Sequence, residues 1–218
     1  IASSKPMNAL AASLNYLPFS GRAATEARMQ SQFNRALSKT VGENSDNVAV
    51  ALSNAEKALG AKFDDVLQNT ALKVDAPLLD GLADVYNTAT KELPSQGMEV
   101  IGKQVDEIMA RAANGQIDGQ AAYNIKRTLD RIGKGNTPEA FHARQLRGVV
   151  MDALDRSLGS QKAAEFATTR KQYGNMSALQ KLAQNGADGN VSFAALANKK
   201  DLRSADLQEL ADISAQFL

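Results

Sequence analysis

The sequence predicts an all-α protein, a multi-helix bundle of about seven to nine helices joined by mostly short loops. The first reason is that apolar residues recur at every third or fourth position, which places them on one face of a helix. One such run is Leu52, Ala55, Leu59, Phe63 and Val66. The second reason is that residues typical of helix ends close each run, and the third is that no alternation at period two extends over a useful length.

Helix-start and helix-stop residues set the boundaries in the first half of the chain. Asp75 is a good N-cap with Pro77 in the following turn, and Pro94 ends the helix that they begin. Gly60 lies within a long helical run and is interpreted as a small residue at a helix crossing, with a kink or a break as the alternative. The predicted helices span residues 23–39, 45–69 (capped by Ser45 or Asp46), 76–93 and 96–113.

The second half carries equally clear signals. Thr137, Pro138 and Glu139 supply a cap, a first-turn proline and an early acidic residue, so a helix begins there. Phe141 and Leu146 are among the apolar residues predicted to line its inner face. The predicted helices span residues 118–133, 138–158, 160–184, a short segment after residue 192, and 204–218.

Composition and charge exclude several functional classes. The chain has 218 residues, of which 25 are basic and 24 acidic, and the net charge of +1 gives no global attraction to nucleic acid or to an anionic membrane. The absence of cysteine excludes disulfides and thiolate metal sites. No apolar run is long enough to span a bilayer, so we expect no transmembrane segment, and the N-terminus lacks a signal-peptide pattern.

The predicted organisation has three parts. Residues 1–21 form an irregular docking arm, residues 22–185 form the main helical bundle, and residues 186–218 form a small C-terminal helical subdomain. The arm is apolar enough to pack on a helix or on another subunit. Because the first residue is Ile1, we expect a fragment, a processed product or the ordered part of a longer protein.

Two segments, 115–118 and 189–192, share a glycine, a polar residue, a β-branched residue and a helix N-cap. Calcium-binding loops end in a similar way, but they also need alternating carboxylates and a glutamate at position twelve, which here is Ala121 or Ala195. We therefore interpret both segments as helix–loop–helix corners, and we expect Ile117 and Val191 to pair as a small bridge.

The segment Ala122-Tyr123-Asn124 resembles a short motif of lytic transglycosylases. Those enzymes need a protonated catalytic glutamate, usually followed by serine, on an earlier helix. No Glu-Ser pair occurs in the chain. We therefore expect Tyr123 to pack or to form a hydrogen bond within the bundle.

His142 is the single histidine, and its helical neighbours are Glu139, Gln145 and Leu146. A metal site or a general base would need further ligands or an orienting partner, so we expect a surface or boundary residue. No glycine-rich phosphate loop or nucleophile set stands out. The sequence thus assigns no catalytic, cofactor-binding or metal-binding residue, and no cofactor.

Basic residues form weak clusters on three predicted helices. They are Arg28, Arg35 and Lys39, then Lys126, Arg127 and Arg131, and finally Arg144 and Arg147. Such faces suit weak, non-specific contact with DNA phosphates. Acidic residues lie among them, so a solvated amphipathic face is the simpler interpretation.

Several segments together resemble phage and prophage proteins described as structural or DNA-ejection components. The first is Gln32-Phe33-Asn34-Arg35-Ala36-Leu37, followed by 40–43. The others follow in order at 63–66, 115–120 with Tyr123, 146–147, 153–155, 170–176 and 186–192. Segment 170–176 is interpreted as a helical packing signature.

The resemblance implies a non-catalytic component of a bacteriophage virion, made in the host cytoplasm and carried in the particle. Its implied partners are further copies of itself or other head–tail proteins. Small-residue seams suit a subunit that opens during ejection, because they lose little buried area. The alternatives are a peptidoglycan-degrading virion enzyme and a cytoplasmic helical adaptor module.

Overall fold

The computed structural model describes residues 22–184, 186 and 189–218. In this part of the chain the secondary structure is almost entirely helical, so the all-α prediction is confirmed. The helices are α1 (Arg22–Thr40), α2 (Val48–Gln68), α3 (Ala76–Glu92), α4 (Ser95–Arg111), α5 (Gly119–Ile132), α6 (Pro138–Leu158), α7 (Ser160–Ala183), α8 (Phe193–Ala197) and α9 (Ala205–Ala215). The segments 1–21, 185 and 187–188 lie outside the description, and the predicted docking arm lies among them.

Side-chain caps begin the helices that the sequence predicted. The carboxylate or hydroxyl oxygens of four residues each accept a hydrogen bond from the backbone N–H three positions later, and these residues are Asp75, Asp118, Thr137 and Ser192. Helix α2 begins later than predicted. Its cap is Asn47, whose Oδ1 accepts from Val50 N at 3.0 Å. Asp46, one of the two predicted caps, instead faces Arg35.

A two-stranded antiparallel sheet is the one element of a different class in the described residues. Strand β1 (Ala71–Lys73) pairs with β2 (Gln116–Asp118), and Leu72 lies opposite Ile117, both fully buried. The predicted pairing of Ile117 with Val191 is therefore wrong. A short 3₁₀ turn at Ala113–Gly115 leads into β2, and Asn114 and Gly115 adopt positive φ there.

Residues 63–166 form one compact unit. Its core holds the buried faces of α3, α5 and α6 together with both strands. Phe63 and Phe166, at the two ends of the segment, meet edge to face with ring centroids 5.4 Å apart. The largest fully buried side chains of this core are Leu72, Leu78, Ile101, Ile108, Ile117, Leu129, Leu146, Leu154 and Phe166.

Residues 22–62 and 167–218 form the second compact unit. Phe33 of α1 stacks on Phe193 of α8 with ring centroids 4.2 Å apart, and Leu207 and Leu210 of α9 belong to the same core. This division differs from the predicted boundaries at 22–185 and 186–218. The reason is that the last two helices share a core with α1, which is far away in sequence.

Two predictions about single residues are wrong. Nothing lies within 4 Å of where a Cβ of Gly60 would be, and α2 runs through it unbroken, so it marks neither a close crossing nor a break. Phe141 is 48% exposed, although the sequence placed it on the inner face of α6. Among the described residues, no helix is both long and apolar enough to cross a membrane.

Candidate anion-binding surfaces

Segments that carry the phage resemblance meet through buried amides. Asn34 is 4% exposed, and its Nδ2 donates to Asp46 O at 2.8 Å and to Asn190 Oδ1 at 3.2 Å. The Nδ2 of Asn175, also buried, donates to Thr40 O at 2.9 Å. These amides join segment 32–37 to 189–192 and segment 40–43 to 170–176. They hold backbone together, which agrees with the interpretation of 170–176 as a packing signature.

The side chains of the 115–118 corner also hold backbone in place. The Asp118 carboxylate accepts from Ala121 N at 3.1 Å, so it serves as a helix cap. A Cβ on Gly119 would lie 2.5 Å from the backbone oxygens of Leu67 and Thr70, so only glycine fits. In the described part of the chain, no group of three or more His, Asp or Glu residues could hold a metal ion.

Tyr123 packs inside its unit, as expected. Its ring lies 5.6 Å from the ring of Phe63, centroid to centroid. The Lys126 Nζ lies 5.3 Å from the Tyr123 ring centroid, within range of a cation–π contact. Its neighbour Asn124 is exposed and faces the groove described below.

His142 is completely buried, so the prediction of a surface or boundary residue is wrong. It shares the inner face of α6 with Leu146, one turn later. Its Nδ1 lies 3.1 Å from Gln145 Oε1. Its Nε2 lies 3.1 Å from Glu92 Oε2, but the two are not aligned as a hydrogen bond. His142 is buried because it lies on the inner face of α6. Its two neighbours, Gln145 and Glu92, do not make a metal-binding site with it.

An open groove along α4 and α5, here called the basic groove, collects cationic side chains. It consists of two cavities of about 590 Å³ and about 310 Å³, which share Asn124, Thr128 and Arg131. The cations that line it are Lys103, Arg111, Arg127, Arg131 and Lys134. Two neighbouring helices thus present one positively charged surface.

The carboxylates in the basic groove are already paired. Glu107 Oε1 lies 2.6 Å from Arg111 Nε, and Asp130 contacts Lys126 Nζ at 2.6 Å and Arg147 Nε at 2.7 Å. Partial burial favours a higher pKa for Asp130, but the hydrogen bonds from Lys126 and Arg147 outweigh it and hold the pKa below its usual range. Asp130 therefore stays ionised at neutral pH, and it cannot supply the proton that glycoside cleavage needs.

The other four cations have no such partner. Within the described ranges, Lys103, Arg127, Arg131 and Lys134 form no ion pair with a carboxylate. Arg127 and Arg131, which the sequence places on one helix, both line the groove, whereas Lys126 turns to Asp130. Lys103 and Lys134 were not predicted as part of this cluster, because their role depends on which helix packs beside α5.

Two other predicted cations contact groups of the protein itself. Arg35 Nη2 lies 3.4 Å from Asp46 Oδ2 in an exposed ion pair. Arg144 donates to the backbone oxygens of Gly133 at 2.7 Å and Gly135 at 2.9 Å, and so fixes the turn that follows α5. Both arginines are already engaged within the protein, so the basic groove is the stronger candidate for a ligand.

The chain matches no protein-family model, no curated protein and no solved structure. Its function is therefore inferred from its side chains. Of the surfaces described so far, the basic groove collects the most cationic side chains that have no carboxylate partner among the described residues.

Proposed function

We propose that this protein is a non-catalytic structural or DNA-ejection component of a bacteriophage virion, and that its basic groove contacts the phosphate backbone of DNA. The observation that carries the DNA contact is the set of four cations, Lys103, Arg127, Arg131 and Lys134, that have no carboxylate partner among the described residues. The virion assignment rests on the ordered sequence segments that resemble phage proteins.

Backbone contact suits the groove better than base recognition. Its cations are long side chains spread over two helices and the turn after them, and such groups neutralise phosphates without reading sequence. The net charge of +1 means that attraction to DNA has to come from a local surface. If each of the four cations replaces one counterion, the logarithm of the binding constant falls with the logarithm of salt at a slope of about −3.6.

Self-association is the second part of the proposal. Leu79 and Tyr86 lie two turns apart on α3, and they are 41% and 42% exposed. Residues at this spacing share one face of a helix. Burial of this face against another copy would remove apolar surface from water and would build the multimer that a particle component needs.

The test is a pair of double variants with the same change in charge. Arg127→Gln/Arg131→Gln removes two groove cations, and Lys57→Gln/Lys62→Gln removes two exposed cations from α2 as the control. Binding to a fluorescein-labelled duplex is measured by anisotropy over a range of salt concentrations.

We expect the groove variant to bind about tenfold more weakly and its salt slope to flatten by about 1.8, while the control stays close to the parent protein. Equal weakening of both variants would show that only net charge matters. That result, or a parent protein that binds no duplex at low salt, would refute the proposed DNA contact.

A further inference from the structure

A second cationic cleft lies in the unit formed by residues 22–62 and 167–218. Its volume is about 490 Å³, and we call it the α9 cleft because it opens just before the first residue of α9. Its cationic lining residues are Arg170, Lys171, Lys181, Lys199 and Arg203. Helix α7 contributes the first three, and the segment before α9 contributes the last two.

Two lysines of the cleft already face carboxylates. Lys199 Nζ forms a close ion pair with Asp201, and Lys171 Nζ lies 2.8 Å from Asp206 Oδ2. The hydrogen bond from Lys199 holds the pKa of Asp201 below its usual range, and the charge of Lys181 lowers it further. Arg203 forms no ion pair with a carboxylate of the described residues, so its charge is available to an anion in the cleft.

Ser204 supplies a polar group that has no partner in the described structure. It is the N-cap of α9, yet its side chain makes no capping hydrogen bond. Its Oγ exposes less than 1 Å² and has no hydrogen-bond partner, and the residue lines the cleft. A buried hydroxyl without a partner is unfavourable unless a ligand completes it.

The start of α9 adds donors at the same place. The first backbone N–H groups of a helix have no partner within the helix. In α9 the side chain of the N-cap residue, Ser204, accepts a hydrogen bond from none of them. Helix α9 has 11 residues, long enough for its positive end to attract an anion. Asp206 lies in this first turn, where its negative charge is offset by Lys171, and Arg203 and the helix end add positive charge beside it.

We infer that the α9 cleft binds a phosphate group, with Arg203 as a principal counter-charge and with a rotation of the Ser204 side chain that brings its Oγ out of its buried position to donate a hydrogen bond to a phosphate oxygen. The site shares no residue with the basic groove. It therefore goes beyond the proposed function, and each can be refuted without the other.

The experiment measures binding of inorganic pyrophosphate by titration calorimetry and by the shift of the thermal unfolding midpoint. The variants are Ser204→Ala and Arg203→Gln. Ser204→Ala should fold at least as well as the parent, because it removes an unsatisfied buried hydroxyl. Lys57→Gln, which removes an exposed cation of α2, is the control for net charge.

We expect saturable binding to the parent protein that raises its unfolding midpoint. Both cleft variants should lose at least about tenfold in affinity, whereas Lys57→Gln and the Arg127→Gln/Arg131→Gln groove variant should bind pyrophosphate as the parent does. Absence of saturable binding, or unchanged affinity in Ser204→Ala and Arg203→Gln, would overturn the inference.

A competition arm identifies the source of the phosphate. An unlabelled duplex that displaces pyrophosphate from the parent and from the groove variant would assign the cleft to a DNA phosphate. A duplex that displaces none would assign it to a small phosphorylated molecule. Either result supports a phosphate site.

Discussion

The contact at Gly119 gives a prediction whose size follows from the structure. In Gly119→Ala the new Cβ would lie 2.5 Å from both Leu67 O and Thr70 O, which are backbone atoms that no side-chain rotation can move away. Overpacking costs about 1–3 kcal/mol. The same crowding weakens the 2.9 Å hydrogen bond from Gly119 N to Thr70 O, which contributes about 1 kcal/mol in the parent protein. The gain in helix propensity is at most about 1 kcal/mol. We expect a net loss of about 2 kcal/mol in the free energy of unfolding.

Gly148→Ala is the matched control in the same unit. Gly148 lies inside α6, and nothing lies within 4 Å of the position that its Cβ would occupy, so the same substitution should stabilise the protein by up to about 1 kcal/mol. Both variants are measured by urea denaturation, followed by circular dichroism in the far ultraviolet. If Gly119→Ala is as stable as the parent or gains stability as the control does, the tight contact with the α2–β1 backbone is refuted.

Two further outcomes concern polar contacts. Asn34→Ala should lower the free energy of unfolding by about 2 kcal/mol, because it leaves Asp46 O without its buried donor. Asn69→Ala, at an exposed amide, should lower it by less than about 0.5 kcal/mol in the same urea assay. The bidentate contact from Arg156 lowers the pKa of Asp75 to about 2, so its stabilisation is complete above an unfolded-state pKa of about 3.9 and is lost as the pH falls through about 2. Asp75→Asn keeps the cap of α3. It should lower the free energy of unfolding by less than about 1 kcal/mol at pH ~6 and leave it unchanged below about pH 2, as measured by unfolding over a pH series. A constant difference at all pH values would contradict this reasoning.

Local signals were enough to predict the helices. Thr137, Pro138 and Glu139 define the start of α6, because a cap and a first-turn proline act within one turn of chain. The predicted helix boundaries lie within about three residues of the observed ones.

Long-range pairing could not be predicted in the same way. Leu72 and Ile117 each stand in a strand of three residues, too short to show an alternation, and only the packing of helices between them brings them opposite each other. His142 looked like a boundary residue because its neighbours in α6 include polar side chains, and its burial is decided by the elements that pack on that face. The basic groove also depends on tertiary packing, since Lys103 shares a cavity with Arg131 only when α4 lies beside α5.

The order in which the two cores can form follows from the sequence segments that build each unit. Residues 63–166 are one uninterrupted stretch, so every side chain of that core has left the ribosome soon after residue 166 is made. Phe33, by contrast, is synthesised early and must wait for Leu207 and Leu210 before its own core can close. A growing chain would therefore complete the inserted unit first and carry an unfinished apolar surface until synthesis of the described residues ends.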